Sequence, residues 1–311
     1  MSRTKTTRKF GVEIETVGLT RAKTFQIFDE LKISIRRNTN DNSSNCPRCG
    51  LCVCGDCLSS SGGCSCGWTG VRRGQHHNSW DIHYDGSIRD RGEGEHIELV
   101  SPILSGMRGL DELYRVASAL KANNITANTS CGLHVHVDAR DLNLFTLTNV
   151  VQRYAKFEKN IDSFMPTQRS RNSYCRSISV VAQDITRAIK NYKNSGDGSF
   201  ITAFLNASSV YNHGRYRKVN LCAYLRHGTI EFRQHEGTID PKTITNWVYF
   251  CVNFVEQSKV DGRTNVLPKI SDKDSPFKGL PTQIRKFYFL REKKLSEKKI
   301  RSTPTLPVRV R

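Results

Sequence analysis

The chain predicts an α+β fold built on a mostly antiparallel sheet. Three observations carry that prediction. Short stretches alternate apolar and polar residues, segments of helical spacing lie between them, and no internal repeat joins them into a regular strand–helix unit. The order reads strand, helix, insert, two strands, helix, strand, two helices, two strands, helix, with the long separations that suit antiparallel pairing.

Each element has a local reason. FGVEIET (10–16) sets Val12 and Ile14 against Glu13 and Glu15, which is the period of a strand. LTRAKTFQIFDELK (19–32) brings Phe25, Phe28 and Leu31 to one side of a helix. Polar RRNTNDNSSN leads into a cysteine cluster, after which WDIHYDGSIRD reads as a strand with Asp85-Gly86 at the bend. HIELVS (96–101) is the next strand, stopped by Pro102, and GLDELYRVASALKAN (109–123) is an amphipathic helix. LHVHVDA (133–139) alternates again, helices are expected over 145–165 and 178–192, and NSGDGS (194–199) breaks the pattern. KVNLCAYL (218–225) and GTIEFRQH (228–235) read as two strands joined at Arg226–Gly228. Asp240 caps a helix through TITNWVYFCVNFVEQ, with Pro241 in its first turn.

The bulk numbers narrow the function classes. No stretch approaches the roughly 20 apolar residues of a membrane span, and MSRTKTTRKF lacks the apolar segment of a secretory signal. No membrane partner is expected, and the expected location is the cytoplasm, that of the host cell for a phage-encoded chain. The net charge of +19, from 48 Lys+Arg against 29 Asp+Glu, favours polyanionic surroundings and makes nucleic acid a candidate partner through the basic surface. Part of that excess lies in REKKLSEKKIRSTPTLPVRVR, which reads as a mobile tail with little to bury.

The strands share an unusual second face. His96, Glu98 and Val100 oppose Ile97 and Leu99; His134, His136 and Asp138 oppose Leu133, Val135 and Val137. Thr229, Glu231 and Arg233 oppose Ile230 and Phe232, and Lys218, Asn220 and Cys222 oppose Val219, Leu221 and Ala223. A solvated face mixes Lys, Thr, Ser and Gln. This one is rich in Glu, His, Asn and Arg. Clustered carboxylates raise one another's pKa unless a cation neutralises them, and oxygen ligands with an occasional imidazole suit Mg²⁺ or Mn²⁺ beside substrate phosphates. Arg233 could hold a phosphate with both ends of its fork.

With FGVEIE near the N-terminus, DGSI followed by IELVSP, CGLHVHVD, a later RYRKVN, and GTIEFRQHEGTID leading into a Trp-containing helix, the chain resembles the amidoligase family over roughly residues 9–258. These are carboxylate–amine ligases of phages and bacteria, related to glutamine synthetase and glutamate–cysteine ligase. The resemblance implies a glutamine synthetase-like sheet, helices on one face, and ATP with two or three Mg²⁺ or Mn²⁺ ions on the concave other face. It implies metal ligation by Glu13, Glu15, Glu98 and Glu231, contact of His134 or His136 with nucleotide phosphates or a metal, and Arg233 on the transferred phosphoryl group. Asn220 and Arg215 fall where the family keeps polar residues. The implied substrates are a carboxylate and an amine, with a peptide or protein among the candidates. The segment NSGDGSFITAFLNASSVYNHGRY (194–216) is the candidate loop over the acyl phosphate.

Seven of the 11 cysteines fall in CPRCGLCVCGDCLSSSGGCSC. Cys46 and Cys49, Cys49 and Cys52, and Cys54 and Cys57 make CxxC pairs, and Cys64 and Cys66 make CxC, spacings that let thiolates share a tetrahedral structural Zn²⁺. One ion could take four thiolates, or two ions could share a thiolate or recruit His76 or His77. The expected organisation is a catalytic domain over 1–260, interrupted by a zinc-binding insertion at 41–77, and a basic extension over 261–311. Two other readings compete with the ligase: a zinc-dependent hydrolase using His134-x-His136, and a non-catalytic, zinc-containing nucleic-acid-binding protein.

Overall fold

The computed structural model describes residues 7–36, 78–89, 92, 94–195, 215–260 and 268–302. The cysteines from Cys46 to Cys66, His76, His77 and most of the 194–216 loop lie outside the described residues.

The expected α+β class is what forms, with eight helices among the described residues and an open sheet whose strand pairs are antiparallel. In chain order the elements are β1 (Lys9–Glu15), α1 (Arg21–Leu31), β2 (Asp81–Tyr84), β3 (Ile97–Val100), β4 (Leu104–Ser105), α2 (Gly106–Ala122) and β5 (Gly132–Asp138). Then come α3 (Leu144–Ser163), α4 (Thr167–Ser170), a 3₁₀ turn (Ser173–Cys175), α5 (Ser179–Ser195), β6 (Val219–Asn220), α6 (Cys222–His227), β7 (Thr229–Glu236), α7 (Pro241–Glu256) and α8 (Thr282–Ser302). The strand order is β2-β3-β1-β5-β7-β6. Both β3 and β4 lie along the same edge of β1, on either side of Pro102. Proline has no N–H for the ladder, and Ser101 spans the gap: its N–H donates to the Val12 carbonyl, and its hydroxyl accepts from the Val12 N–H.

Period-2 alternation builds the layers. Phe10, Val12 and Ile14 of β1, Leu99 of β3, Val135 of β5 and Phe232 of β7 are buried on one face, where α7 packs against β1 and β5 and α2 packs against α7. Trp247, Phe250 and Phe254 of α7 supply the bulk of that layer. The Asp240 cap forms as expected, its carboxylate accepting from the Thr243 N–H at 2.9 Å. None of the helices among the described residues is long and apolar enough to cross a membrane.

The expected strand at 218–225 is a correction. Only Val219 and Asn220 pair with β7, and Cys222–His227 is helical. The Asn220 side-chain oxygen accepts from the Cys222 N–H at 2.9 Å, which turns the backbone out of the ladder two residues after pairing begins. The new helix ends at Gly228, whose φ of 67° is left-handed. Lys218 also departs from the polar face: its ammonium turns to α3 and pairs with Glu158 at 2.8 Å and Asp162 at 2.7 Å.

The segment marked in the sequence as a basic tail begins inside α8. Upstream, Tyr288 is 1% exposed and packs 4.7 Å from the Phe164 ring and 5.6 Å from that of Phe250. Arg291, first residue of that segment, donates to the Phe164 carbonyl at 2.7 Å and pairs with Glu236 at the end of β7.

Candidate active site

Residues directly opposite one another in an antiparallel ladder share a face, so the register decides what the polar face holds. Glu15 pairs with Glu98, Glu13 with His134, His136 with Glu231, and Asn220 with Glu231. A row of carboxylates and imidazoles therefore crosses the four neighbouring strands β3, β1, β5 and β7, and the Asn220 amide extends it onto β6. Seven of the eight strand residues of the candidate set (Glu13, Glu15, Glu98, His134, His136, Glu231 and Arg233) are joined by ion pairs within 4.0 Å, and Asn220 donates to Glu231 at 2.6 Å.

His134 stands at the centre. Its Nδ1 lies 2.9 Å from Glu13, 3.8 Å from Glu231 and 4.0 Å from Glu98, and its Nε2 lies 3.5 Å from Glu15. His136 is bracketed by the Thr229 hydroxyl at 3.0 Å from Nδ1 and by Glu13 at 3.1 Å from Nε2. Glu15 accepts from the Gly132 N–H at 2.7 Å. Glycine is needed at that point, because a Cβ on residue 132 would come within 2.7 Å of His134 Nε2. Arg233 forms an ion pair with Glu231, while its buried Nε has no hydrogen-bond partner among the described residues.

The charges are unevenly tolerated. Burial would raise the Glu13 carboxyl, but His136 and His134 outweigh it and hold Glu13 well below the usual range. Burial would likewise favour neutral His136, yet Glu13 and Glu231 push its pKa up to about 9. Glu231 is held low against burial by His136 and Arg233. Glu98 goes the other way: burial, then the charges of Glu13, Glu15 and Asp85, push its carboxyl well above the ordinary value. Burial also raises Glu15, so of the four glutamates crowded here two are held low by His136, His134 and Arg233 and two are pushed up for want of positive charge.

That donor set fits divalent ions. Glu13, His136 and Glu231 can converge on one point, as can Glu13, Glu98 and His134, and also Glu15, Asp85 and Glu98, each group having its ligand atoms within 4.8 Å of one another. Carboxylate oxygens with a single imidazole suit Mg²⁺ or Mn²⁺ and leave positions for phosphate oxygens. Asp85 is the ligand candidate that sequence reasoning missed. Its Asp-Gly pair reads as a turn, and it is one: the Asp85 carboxylate accepts from the Ser87 N–H at 2.7 Å. Only the pairing of β2 with β3 reveals that this turn ends beside Glu98.

Arg215 is exposed; its guanidinium lies 5.1 Å from the Tyr216 ring centroid and its Nη2 donates to the Tyr216 hydroxyl at 3.2 Å. A cleft of about 590 Å³ opens at another part of the molecule, beside Arg8, Asp138 and Lys259. The Arg8 charge there is already paired with Asp141 and Glu256.

The family model described as "putative amidoligase enzyme" matches residues 6–255. The chain belongs to the amidoligase family. No curated protein and no solved structure matches it. The matched span runs from before β1 into the last turn of α7, so all seven strands of the amidoligase sheet and all of its polar face fall inside it. Residues 268–302, with α8, lie beyond it.

Proposed function

We propose that this amidoligase is an ATP-dependent carboxylate–amine ligase that forms a peptide or isopeptide bond through an acyl phosphate. The observation that supports it most is the set of three overlapping ligand groups, two of carboxylates with an imidazole and one of carboxylates alone, gathered at the sheet face that carries Arg233. A carboxylate is too poor an electrophile for an amine to attack at neutral pH, and transfer of a phosphoryl group supplies the leaving group. Mg²⁺ or Mn²⁺ bound on this face would neutralise the charge of the nucleotide phosphates.

In this reading Glu13, Glu15, Asp85, Glu98 and Glu231 hold the metal–nucleotide complex, with His134 and His136 as nitrogen donors or phosphate contacts. Arg233 stabilises the charge that develops on the transferred phosphoryl group. Asn220 orients Glu231 through its 2.6 Å hydrogen bond. The carboxylate oxygen attacks the terminal phosphorus and ADP leaves; the amine then attacks the acyl carbon and phosphate leaves. Water must be kept from the acyl phosphate, a task assigned to the 194–216 segment and Arg215.

A glutamine synthetase-like sheet belongs to the same reading, supported by the antiparallel strand order and the single polar face. So does a structural Zn²⁺ between Cys46 and Cys66, supported by the cysteine spacing alone. Against a hydrolytic zinc site, none of the ligand groups among the described residues contains both His134 and His136.

Trapping tests the reading. With Mg²⁺, ATP and a pool of carboxylates, hydroxylamine in place of the amine should yield hydroxamates, detected by mass spectrometry, in proportion to the ADP formed. Bond cleavage that proceeds without ATP and leaves no hydroxamate would instead support the hydrolase.

A further inference from the structure

The pairing of β5 with β7 is interrupted at the edge of the site. Leu133 pairs with His235, but Val135 pairs with Phe232, so Arg233 and Gln234 both stand opposite His134. This is a β-bulge, and its extra residue leaves backbone groups outside the ladder. One side chain takes up both carbonyls. The guanidinium of Arg169, on α4, donates from Nη2 to the Arg233 carbonyl at 2.7 Å and from Nε to the Gln234 carbonyl at 3.1 Å. Arg169 is 5% exposed, and a Cβ on Gly132 would lie 3.4 Å from its Nη2, which places it at the His134 end of the carboxylate row.

The bulge sorts side chains. Gln234 is drawn into the helix layer, where it accepts from the Tyr154 hydroxyl and donates to Asp162. His235 packs against Trp247 at 5.2 Å. Arg233 is left on the polar face against Glu231. Without the bulge, strict alternation would carry His235 onto the face that holds Arg233.

We propose that Arg169 is a positioning residue: by gripping the carbonyls of Arg233 and Gln234 it fixes the bulge and aims the Arg233 guanidinium at Glu231. What Arg233 does there rests on the ligase reading; the grip itself does not. Lysine cannot reproduce it, because one ammonium lacks the rigid two-donor fork, although it keeps the charge.

Binding of Mn²⁺ alone, followed by the electron spin resonance of the free ion, tests the grip in wild type, Arg169→Lys, Arg233→Gln and the double variant, with thermal midpoints to establish folding. Arg233 competes with a cation for Glu231, so Arg233→Gln should bind Mn²⁺ roughly tenfold tighter. Arg169→Lys should shift affinity the same way by about fivefold and add nothing in the Arg233→Gln background. Loss of charge cannot explain that shift, and general damage would weaken binding instead. Arg169→Lys matching wild type, weakening Mn²⁺ binding, or shifting it equally in both backgrounds overturns the proposal. ATP added with Mn²⁺ separates the two ideas: failure of wild type to bind ATP sinks the ligase reading, while the grip is judged on Mn²⁺ alone.

Discussion

At the residue scale, the Glu98 carboxyl shows most directly what the polar face lacks. Burial and the charges of Glu13, Glu15 and Asp85 favour its protonated form. A divalent cation must displace that proton, so Mn²⁺ affinity should rise with pH, and calorimetry in buffers of different ionisation enthalpy should register proton release. Glu98→Gln should reduce the release, leaving the proton that Glu13 and Glu231 keep on His136, and weaken Mn²⁺ binding by at least about tenfold. The sign for the metal-free fold is opposite. A carboxyl whose folded pKa is raised costs nothing below its unfolded value near 4.5 and costs progressively more as pH rises through its folded value. Glu98→Gln should therefore raise the melting temperature of the metal-free protein, and by more at pH 8 than at pH 5.

His235 titrates in the other direction. Burial, against the opposing pull of Glu236, lowers its pKa to about 4 from an unfolded value of 6.5. The unfolded chain binds the proton first, so stability present above pH 6.5 is lost as pH falls toward 4, on the order of 3 kcal/mol in full. The urea midpoint of His235→Phe should fall less steeply over that window than that of wild type. Residue type was legible in the sequence: the Glu, His, Asn and Arg content of alternate positions marked seven of the residues now found in ion-pair contact. Asp85 and Arg169 were not, because one occupies a turn and the other a four-residue helix, and neither has a period to reveal it.

At the scale of elements, alternation located β1, β3, β5 and β7 because each has one face against helices and one against its own polar row. It failed where side chains overrode the ladder. Asn220 ends β6 after two residues, and the bulge in β7 depends on Arg169, some 60 residues away in sequence, through bonds that no local pattern encodes. Gly228 closes α6 in a left-handed conformation, and a Cβ there would come 2.4 Å from Arg140 Cγ. Gly228→Ala should cost about 1–3 kcal/mol in urea unfolding. Mn²⁺ affinity should hold within about twofold if α6 only caps the approach to β7.

At the scale of the whole molecule, the family match ends at residue 255, but the core does not. Tyr288 of α8 closes the aromatic cluster of Phe164 and Phe250, and Arg291 ties α8 to the end of β7. Tyr288→Ala should cost about 3–5 kcal/mol. Its buried hydroxyl has no hydrogen-bond partner among the described residues, so Tyr288→Phe should be neutral or stabilising in the same assay. The aromatic run in RKFYFL was readable as sequence, but its docking was not, because charged residues crowd both sides and mask the apolar stripe.

The central claim is that the carboxylate–imidazole face binds metal and nucleotide for ligation. Its most direct measurement is ADP formation from Mg²⁺·ATP, with and without carboxylate and amine pools, in wild type, Glu13→Ala and Glu231→Ala. ADP formation that depends on both pools, with turnover at least about 100-fold lower in each folded variant, is the predicted result. Equal turnover in all three proteins would contradict it.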